Sequence, residues 1–382
     1  MYNLQAYGQM IADRVRTKTY ARALRKAVKP GSVVLEIGTG AGIFAIFACQ
    51  LGAKHVYAIE SSEIIQVARE NAVANHCADR IKFFEDISMR VSIPERVDTL
   101  FSDLHGALPL YTQHIPSIVD ARQRFLAPGG ILIPRRDTIY AALVEVPKAY
   151  AKITEPWVRN CLGQKLSAGR RHVVNDIINV RVKPEELLTA PQVWIKLDYF
   201  TIDNADVTGE LNWTLKRDGT GHGILTWFDS ELVDGVGFST GPERPRGVYG
   251  TLFFPWENPV KMRRGDKVHV QLEAKLVKED YMWRWTSEVN PGAAKGKARA
   301  HFDQSLLAGK VVSLEQLHKT ASDHVPRLSD VGVVDRRILE LMDGRATLEE
   351  IARRLADEFP EKFARWEAAL DCVGAVSREY ST

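Results

Sequence analysis

The sequence has little of what would tie it to an oxidising compartment, a membrane or a polyanion. Its four cysteines, Cys49, Cys77, Cys161 and Cys372, are scattered without a CxxC pair, which suits a reducing compartment and argues against a structural metal. No apolar run reaches the ~18 residues that a membrane-spanning helix needs. The opening MYNLQAYGQM lacks a charged-then-apolar signal pattern. The expectation is cytoplasmic, with no membrane partner. A net charge of +3 gives no reason to expect nucleic acid. With 45% apolar and 26% charged residues over 382 positions, the composition is ordinary for a globular chain of two or three domains.

What is present is concentrated in residues 33–60, VVLEIGTGAGIFAIFACQLGAKHVYAIE. Val33–Ile37 is short and β-branched, as a buried parallel strand is. Gly38, Gly40 and Gly42 follow, then the apolar segment Ile43–Leu51, then a second strand ending on Glu60. Glycines let a backbone turn tightly beside a ligand, and an acid at the tip of the next strand can accept both ribose hydroxyls. GxGxG is shorter than the dinucleotide fingerprint, and no GK[ST] follows, so a P-loop is excluded. The pattern is read as a nucleoside site of the S-adenosylmethionine (SAM) type.

Before this stretch, Tyr7–Val28 has the spacing of one or two helices. Arg16 there is either part of a solvated face or a partner for a ligand carboxylate, to which its planar fork is suited. After Glu60, Ser61 or Ser62 can cap a helix running to about Asn75. Strand Ile81–Phe84 leads to Glu85-Asp86-Ile87, where the acid is either a surface turn residue or faces a base. Strand Val97–Phe101 ends at Ser102-Asp103-Leu104-His105-Gly106, and ligands of an open parallel sheet sit beyond such strand ends. A helix over 115–125, a turn at Pro128-Gly129-Gly130 and strand Ile131–Ile133 complete an α/β doubly wound unit.

From Arg135 short strands and turns take over. Lys216–Gly221 separates Leu211–Leu215 from Ile224–Phe228 and reads as a hairpin turn. Lys267–Leu276 alternates Val268, Val270 and Leu272 as a half-buried strand does. Trp256, Trp283 and Trp285 read as core in preference to an aromatic cage. Residues 325–382 are of another kind: an apolar helix stopping at Asp343-Gly344, a capping box at Thr347–Glu350 opening a second helix, and a third helix over about 362–377. Arg353-Arg354 is balanced by four acids, so DNA binding is not expected.

Asp13, Arg16-Thr17, VLEIGTGAGIFAIFA, GAKHVYAIESSEI and LAPGGILIP resemble the protein arginine methyltransferases, as do TWFDSEL (226–232) and GFSTGPERP (237–245) further on. The resemblance covers about residues 7–290. It implies a Rossmann-like SAM-binding domain (1–134), a β-barrel domain (135–322) whose segment 157–182 is a dimerisation arm, and a homodimer. It also implies the cofactor set Arg16, Glu36, Gly38, Thr39, Gly40, Gly42, Glu60, Ser61, Asp86, Ile87 and Ser88. Arg16 would hold the methionine carboxylate, Glu60 the ribose, and the loop Asp86–Ser88 the adenine. ILELMDGRATLEEIARRLADEF in the tail (323–382) is similar to small winged-helix modules of the PqqD type, which bind leader peptides. The alternative is a helical unit that only packs on the enzyme or its dimer mate.

The departures bear on the chemistry. The family's two loop glutamates align with Asp103 and Thr112, and its threonine-histidine-tryptophan signature aligns with Gly247-Val248-Tyr249. Guanidinium stays protonated, and a single Asp cannot orient it as two carboxylates do. Asp103 and His105 are the candidate catalytic residues, with the alternatives that Asp103 only orients and that His105 is a satisfied loop histidine. Three functions follow from the sequence. The first is a SAM-dependent methyltransferase for a peptide or small-metabolite acceptor. The second is an arginine N-methyltransferase using Asp103 and a carboxylate from elsewhere. The third is a catalytically silent scaffold.

Overall fold

The computed structural model describes residues 3–159, 161–245, 247–292 and 298–381. Asn160, inside the expected arm, lies outside the described residues. Contacts divide the chain into two units, 1–310 and 311–382.

The first unit begins with helices α1 (Leu4–Ala12) and α2 (Arg14–Ala27). They separate at Asp13, whose extended backbone breaks the helix and whose Oδ1 caps the next one by accepting from the Val15 and Arg16 amides. Then β1 (Val33–Ile37), α3 (Ile43–Gln50), β2 (His55–Ile59), α4 (Ile65–Ala74), β3 (Ile81–Phe84), β4 (Val97–Ser102), α5 (His114–Arg124) and β5 (Leu126–Ile133) alternate. The five strands form a parallel sheet in the order β3-β2-β1-β4-β5. The order reverses at β1 and β4, so the crevice beyond their carboxyl ends is the topological switch point. Every residue of β1 is buried, Glu36 among its apolar neighbours included, as expected of a strand covered on both faces.

Two local expectations are corrected. Neither serine caps α4; Ile64 occupies that position without a side-chain bond, because Ser62 Oγ donates to Glu60 instead. Pro128-Gly129-Gly130 is a bulged start of β5 and not a separate turn, the register with β4 shifting between Val97 and Thr99.

The second half of this unit holds β6 (Arg136–Val144), α6 (Pro147–Val158), α7 (Arg170–Val173), β7 (Ile178–Val180), β8 (Gln192–Asp198), β9 (Val207–Thr214), β10 (Gly219–Val233), β11 (Val236–Ser239), β12 (Thr251–Met262), β13 (Lys267–Val277), β14 (Asp280–Asn290), β15 (Ala300–Ser305) and α8 (Leu306–Gly309). Two antiparallel sheets result, β7-β12-β10-β6-β8 with β11 on β10, and β15-β14-β13-β9. The expected hairpin at Lys216–Gly221 is therefore a crossing between sheets: β9 pairs with β13, and β10 pairs with β6 and β12. The local turn signal was sound, but more distant strands won the pairing. Val268, Val270 and Leu272 point inward as alternation requires, and Trp256, Trp283 and Trp285 are core side chains.

In the second unit, α9 (Leu314–Lys319) precedes three helices, α10 (Asp330–Leu341), α11 (Leu348–Glu358) and α12 (Trp366–Tyr380). These three pack around Ile338, Ile351, Leu355, Ala369 and Val373. Thr347 and Glu350 form the capping box that their spacing predicts. Among the described residues of 311–382 no strand occurs.

Candidate active site

A cavity of about 740 Å³ lies beyond the carboxyl ends of β1, β2 and β4, within the range of small-molecule sites. It is lined by Gly38, Thr39 and Gly40 of the cradle, by Glu60, Ser61 and Ser62 after β2, and by Arg16, Asp103 and Tyr249. Gly38 and Gly40 have φ of +78° and +53°, which side-chain-bearing residues rarely adopt. A Cβ at Gly38 would meet Leu104, and one at Gly40 would meet the ring of Tyr7 at 3.0 Å. The glycines thus fit backbone conformation and close approach together.

Glu60 at the tip of β2 accepts from the Gly40 amide through Oε2 (2.9 Å) and from the Ser62 hydroxyl through Oε1 (2.8 Å). Its carboxylate is fixed at the cavity wall while retaining acceptor capacity. Glu36, on β1, is buried and accepts from Thr39 Oγ1 at 2.7 Å. Burial pushes its carboxyl up to about 8, against the lowering effect of that hydroxyl. Asp86, Ile87 and Ser88 follow β3 but lie outside the side chains that line this cavity. Asp86 Oδ1 accepts from the Ile87 amide, and Ser88 is buried with its carbonyl accepting from Arg124.

Arg16 and Asp103, 87 positions apart, are joined: Arg16 Nε donates to Asp103 Oδ2 at 2.5 Å. The guanidinium also lies 5.1 Å from the centre of the Phe44 ring, and Nη1 donates to the Met10 carbonyl. Burial works to raise the Asp103 pKa, but Arg16, then His105 and Tyr249, hold it well below the usual carboxylate range. Tyr249 Oη donates to Asp103 Oδ1 at 2.6 Å, and His105 Nδ1 lies 3.0 Å from the same oxygen. Asp103 is thus the ionised centre of an internal network.

His105 is wholly buried, and its other nitrogen, Nε2, lies 2.9 Å from Asp137 Oδ2 on β6. Burial alone would lower its pKa, yet Asp137 and Asp103 raise it to about 9. Asp137 in turn accepts from Tyr199 Oη at 2.6 Å, and that hydroxyl is 2.9 Å from His114 Nε2. The neighbouring His114 is kept neutral, its pKa lowered to about 3 by burial and then by the His105 charge. With a carboxylate at each ring nitrogen, His105 bridges the nucleotide half and the barrel half and has no nitrogen facing the cavity. The structure thus places Asp103 at the cavity but His105 behind it.

Sequence reasoning missed Asp137, Tyr199, Tyr7 and the role of Tyr249, which reach the site only through folding. Asp13 Oδ2 accepts from the Val248 amide at 2.8 Å, so one carboxylate caps α2 and anchors the segment before β12. Glu279, at the β13–β14 turn, also lines the cavity beside Thr112. Gln113 Nε2 donates to the Lys278 carbonyl at 2.5 Å, joining that turn to the start of α5.

A glycine cradle at the carboxyl ends of a parallel sheet, with an acid at the second strand tip and a buried arginine in the same cavity, defines a Rossmann-like nucleoside-cofactor domain joined to an antiparallel barrel. Residues 15–159 match the family described as ribosomal protein L11 methyltransferase (PrmA), and residues 135–285 match the arginine methyltransferase oligomerization subdomain. The chain is thus similar to a ribosomal protein L11 methyltransferase in its nucleotide half and to the arginine methyltransferases in its barrel half.

It is 33% identical over 233 residues to the probable protein arginine N-methyltransferase 6 of Arabidopsis thaliana, covering 59% of this chain and 53% of that one. It is 28% identical over 268 residues to protein arginine N-methyltransferase 8-B of Danio rerio, covering 68% and 64%. The chain therefore spans between half and two thirds of the length of these relatives. The Trypanosoma brucei PRMT1 enzyme–prozyme heterotetramer, solved with AdoHcy, aligns with a TM-score of 0.71 at 21% identity over 78% of this chain and 97% of that one. Arabidopsis thaliana protein arginine methyltransferase 10 aligns at 0.70 and 20%, over 80% and 98%. At these identities the structures share the fold.

Proposed function

We propose that the protein is a SAM-dependent methyltransferase acting on a peptide or small-metabolite acceptor. The observation that carries this reading is one cavity lined together by Gly38, Gly40, Glu60, Arg16, Asp103 and Tyr249. These residues fit the cofactor: Arg16 offers a guanidinium to its carboxylate, Glu60 a carboxylate to its ribose hydroxyls, and Gly38 and Gly40 leave room for both. When bound, SAM supplies a methyl group on an electrophilic sulfonium. Asp103 holds Arg16 in place, and Tyr7, Leu104 and Tyr249 wall the site against water. Orientation in such an enclosure can lower a barrier by several kcal/mol. Asp86–Ser88 are proposed to meet the adenine, a homodimer to form through the arm at 157–182, and the helical tail to bind a leader peptide or protein partner.

A second reading, arginine N-methylation, is favoured by the names of the relatives and by Glu279, which brings a carboxylate to the place where Thr112 leaves none. The test is isothermal titration with SAM, followed by methyl-labelled SAM with a source-cell extract and hydrolysis of the labelled fraction. Binding with label in a peptide or metabolite supports the first reading, and label in arginine the second. Binding without turnover in any fraction would favour the scaffold.

A further inference from the structure

A second pocket adjoins the cavity, sharing Arg16, Asn179 and Tyr249 with it. Its remaining wall carries Arg181, just after β7, and Arg244, in the loop after β11. Both side chains are exposed, and among the described residues neither has an ion-pair partner. Among the described residues the single acid lining the pocket is Asp13, and its two oxygens already accept from the Val15, Arg16 and Val248 amides. Two uncompensated guanidinium groups beside a spent carboxylate make a poor receptor for a cation and a good one for a carboxylate, which a guanidinium fork can grip through two parallel hydrogen bonds.

We infer that this pocket receives a carboxylate of the acceptor and that the enzyme forms a methyl ester on it. The inference rests on the methyltransferase reading above. One carboxylate oxygen is held by Arg181 or Arg244, and the other attacks the methyl carbon. A C–O bond forms as the C–S bond breaks, the sulfonium electron pair returns to sulfur, and the neutral thioether leaves. The nucleophile enters ionised, so no proton moves and no base is needed. That accounts for an Asp103 committed to Arg16, a His105 sealed behind it, and a threonine where a second glutamate would stand. Glu279, which lines the cavity with Thr112, is a feature that favours a cationic acceptor.

The full chain is incubated with methyl-labelled SAM and a source-cell extract, the products are separated by size, and each fraction is treated with mild alkali. Esters release labelled methanol, whereas N-methyl groups stay. Alkali-labile label is expected, in the peptide fraction if the carboxylate belongs to a peptide and in the small-molecule fraction if it belongs to a metabolite. In the double variant Arg181→Gln/Arg244→Gln, SAM affinity should hold while ester formation at low acceptor falls by roughly ten-fold or more, the scale of charge-assisted contacts. Alkali-stable label, ester formation untouched in the double variant, or no label from a SAM-binding protein would each overturn the inference and leave the cofactor reading standing. Failure to bind SAM would remove both.

Discussion

At the scale of single residues, the site is governed by buried charges that neutralise one another. Arg16 and His105 oppose Asp103 and Asp137, and removing one member leaves an uncompensated buried charge, which costs on the order of 3–5 kcal/mol. Asp137→Ala alone is therefore expected to lower the melting temperature clearly, while His105→Met with Asp137→Ala should recover most of the loss; thermal unfolding of the three proteins checks this. Arg16→Lys keeps the charge but loses the fork, so SAM affinity measured by titration should drop by about ten-fold or more.

The same network sets the pH response. The folded pKa of His105 is raised from the ordinary 6.5 to about 9. Its stabilising contribution is complete below the unfolded value of about 6.5 and is lost as pH rises through about 9. Asp103 and Asp137, both held low in the fold, contribute above the ordinary carboxylate range, and that contribution is lost as pH falls through their folded values. Melting temperature should accordingly decline between about pH 6.5 and 9, and the slope should shrink in His105→Met/Asp137→Ala. Glu36, raised to about 8, adds to the decline over the lower part of this window, so Glu36→Gln should shrink the slope too.

Among elements, the cradle loop and the caps carry the local determinants. Gly40→Ala places a Cβ on a left-handed backbone and against Tyr7, at a cost of roughly 1–2 kcal/mol. The expected outcome is a protein that still folds by circular dichroism but has lost most SAM affinity, because the moved loop lines the cavity. Thr347→Ala removes the cap of α11, worth about 0.5–2 kcal/mol. Denaturant unfolding of the second unit should register it while SAM titration does not. Elements also show where the sequence could be read. β1, β2 and the cradle between them are legible because parallel strands buried on both faces need predominantly apolar runs and because glycine has a conformational reason to be there. The false hairpin at 216–221 was illegible in the same terms, since a turn signal says that the chain reverses and not which strand it then meets.

For the whole molecule, no helix among the described residues is long and apolar enough to cross a membrane. The contact boundary at 310/311 makes a further prediction. A chain ending at Lys310 should fold and bind SAM within about three-fold of the full chain, since every residue of the cradle lies in the first unit. Loss of SAM binding in that truncation, with circular dichroism intact, would assign the tail a part in the site.

The sequence by itself determined the nucleotide fold, the glycine cradle, Glu60 at its strand tip and the helical tail with its capping box. Each depends on contacts within a few dozen residues, so local spacing encodes it. Only the tertiary structure decided what Asp103 and His105 are. It brings Arg16 from 87 positions upstream and Tyr249 from 146 downstream onto one carboxylate, and it supplies Asp137 to close His105 off from the cavity. A side chain's chemistry follows from the charges and hydrogen bonds around it, and here those come from strands and helices that meet only when the two halves pack.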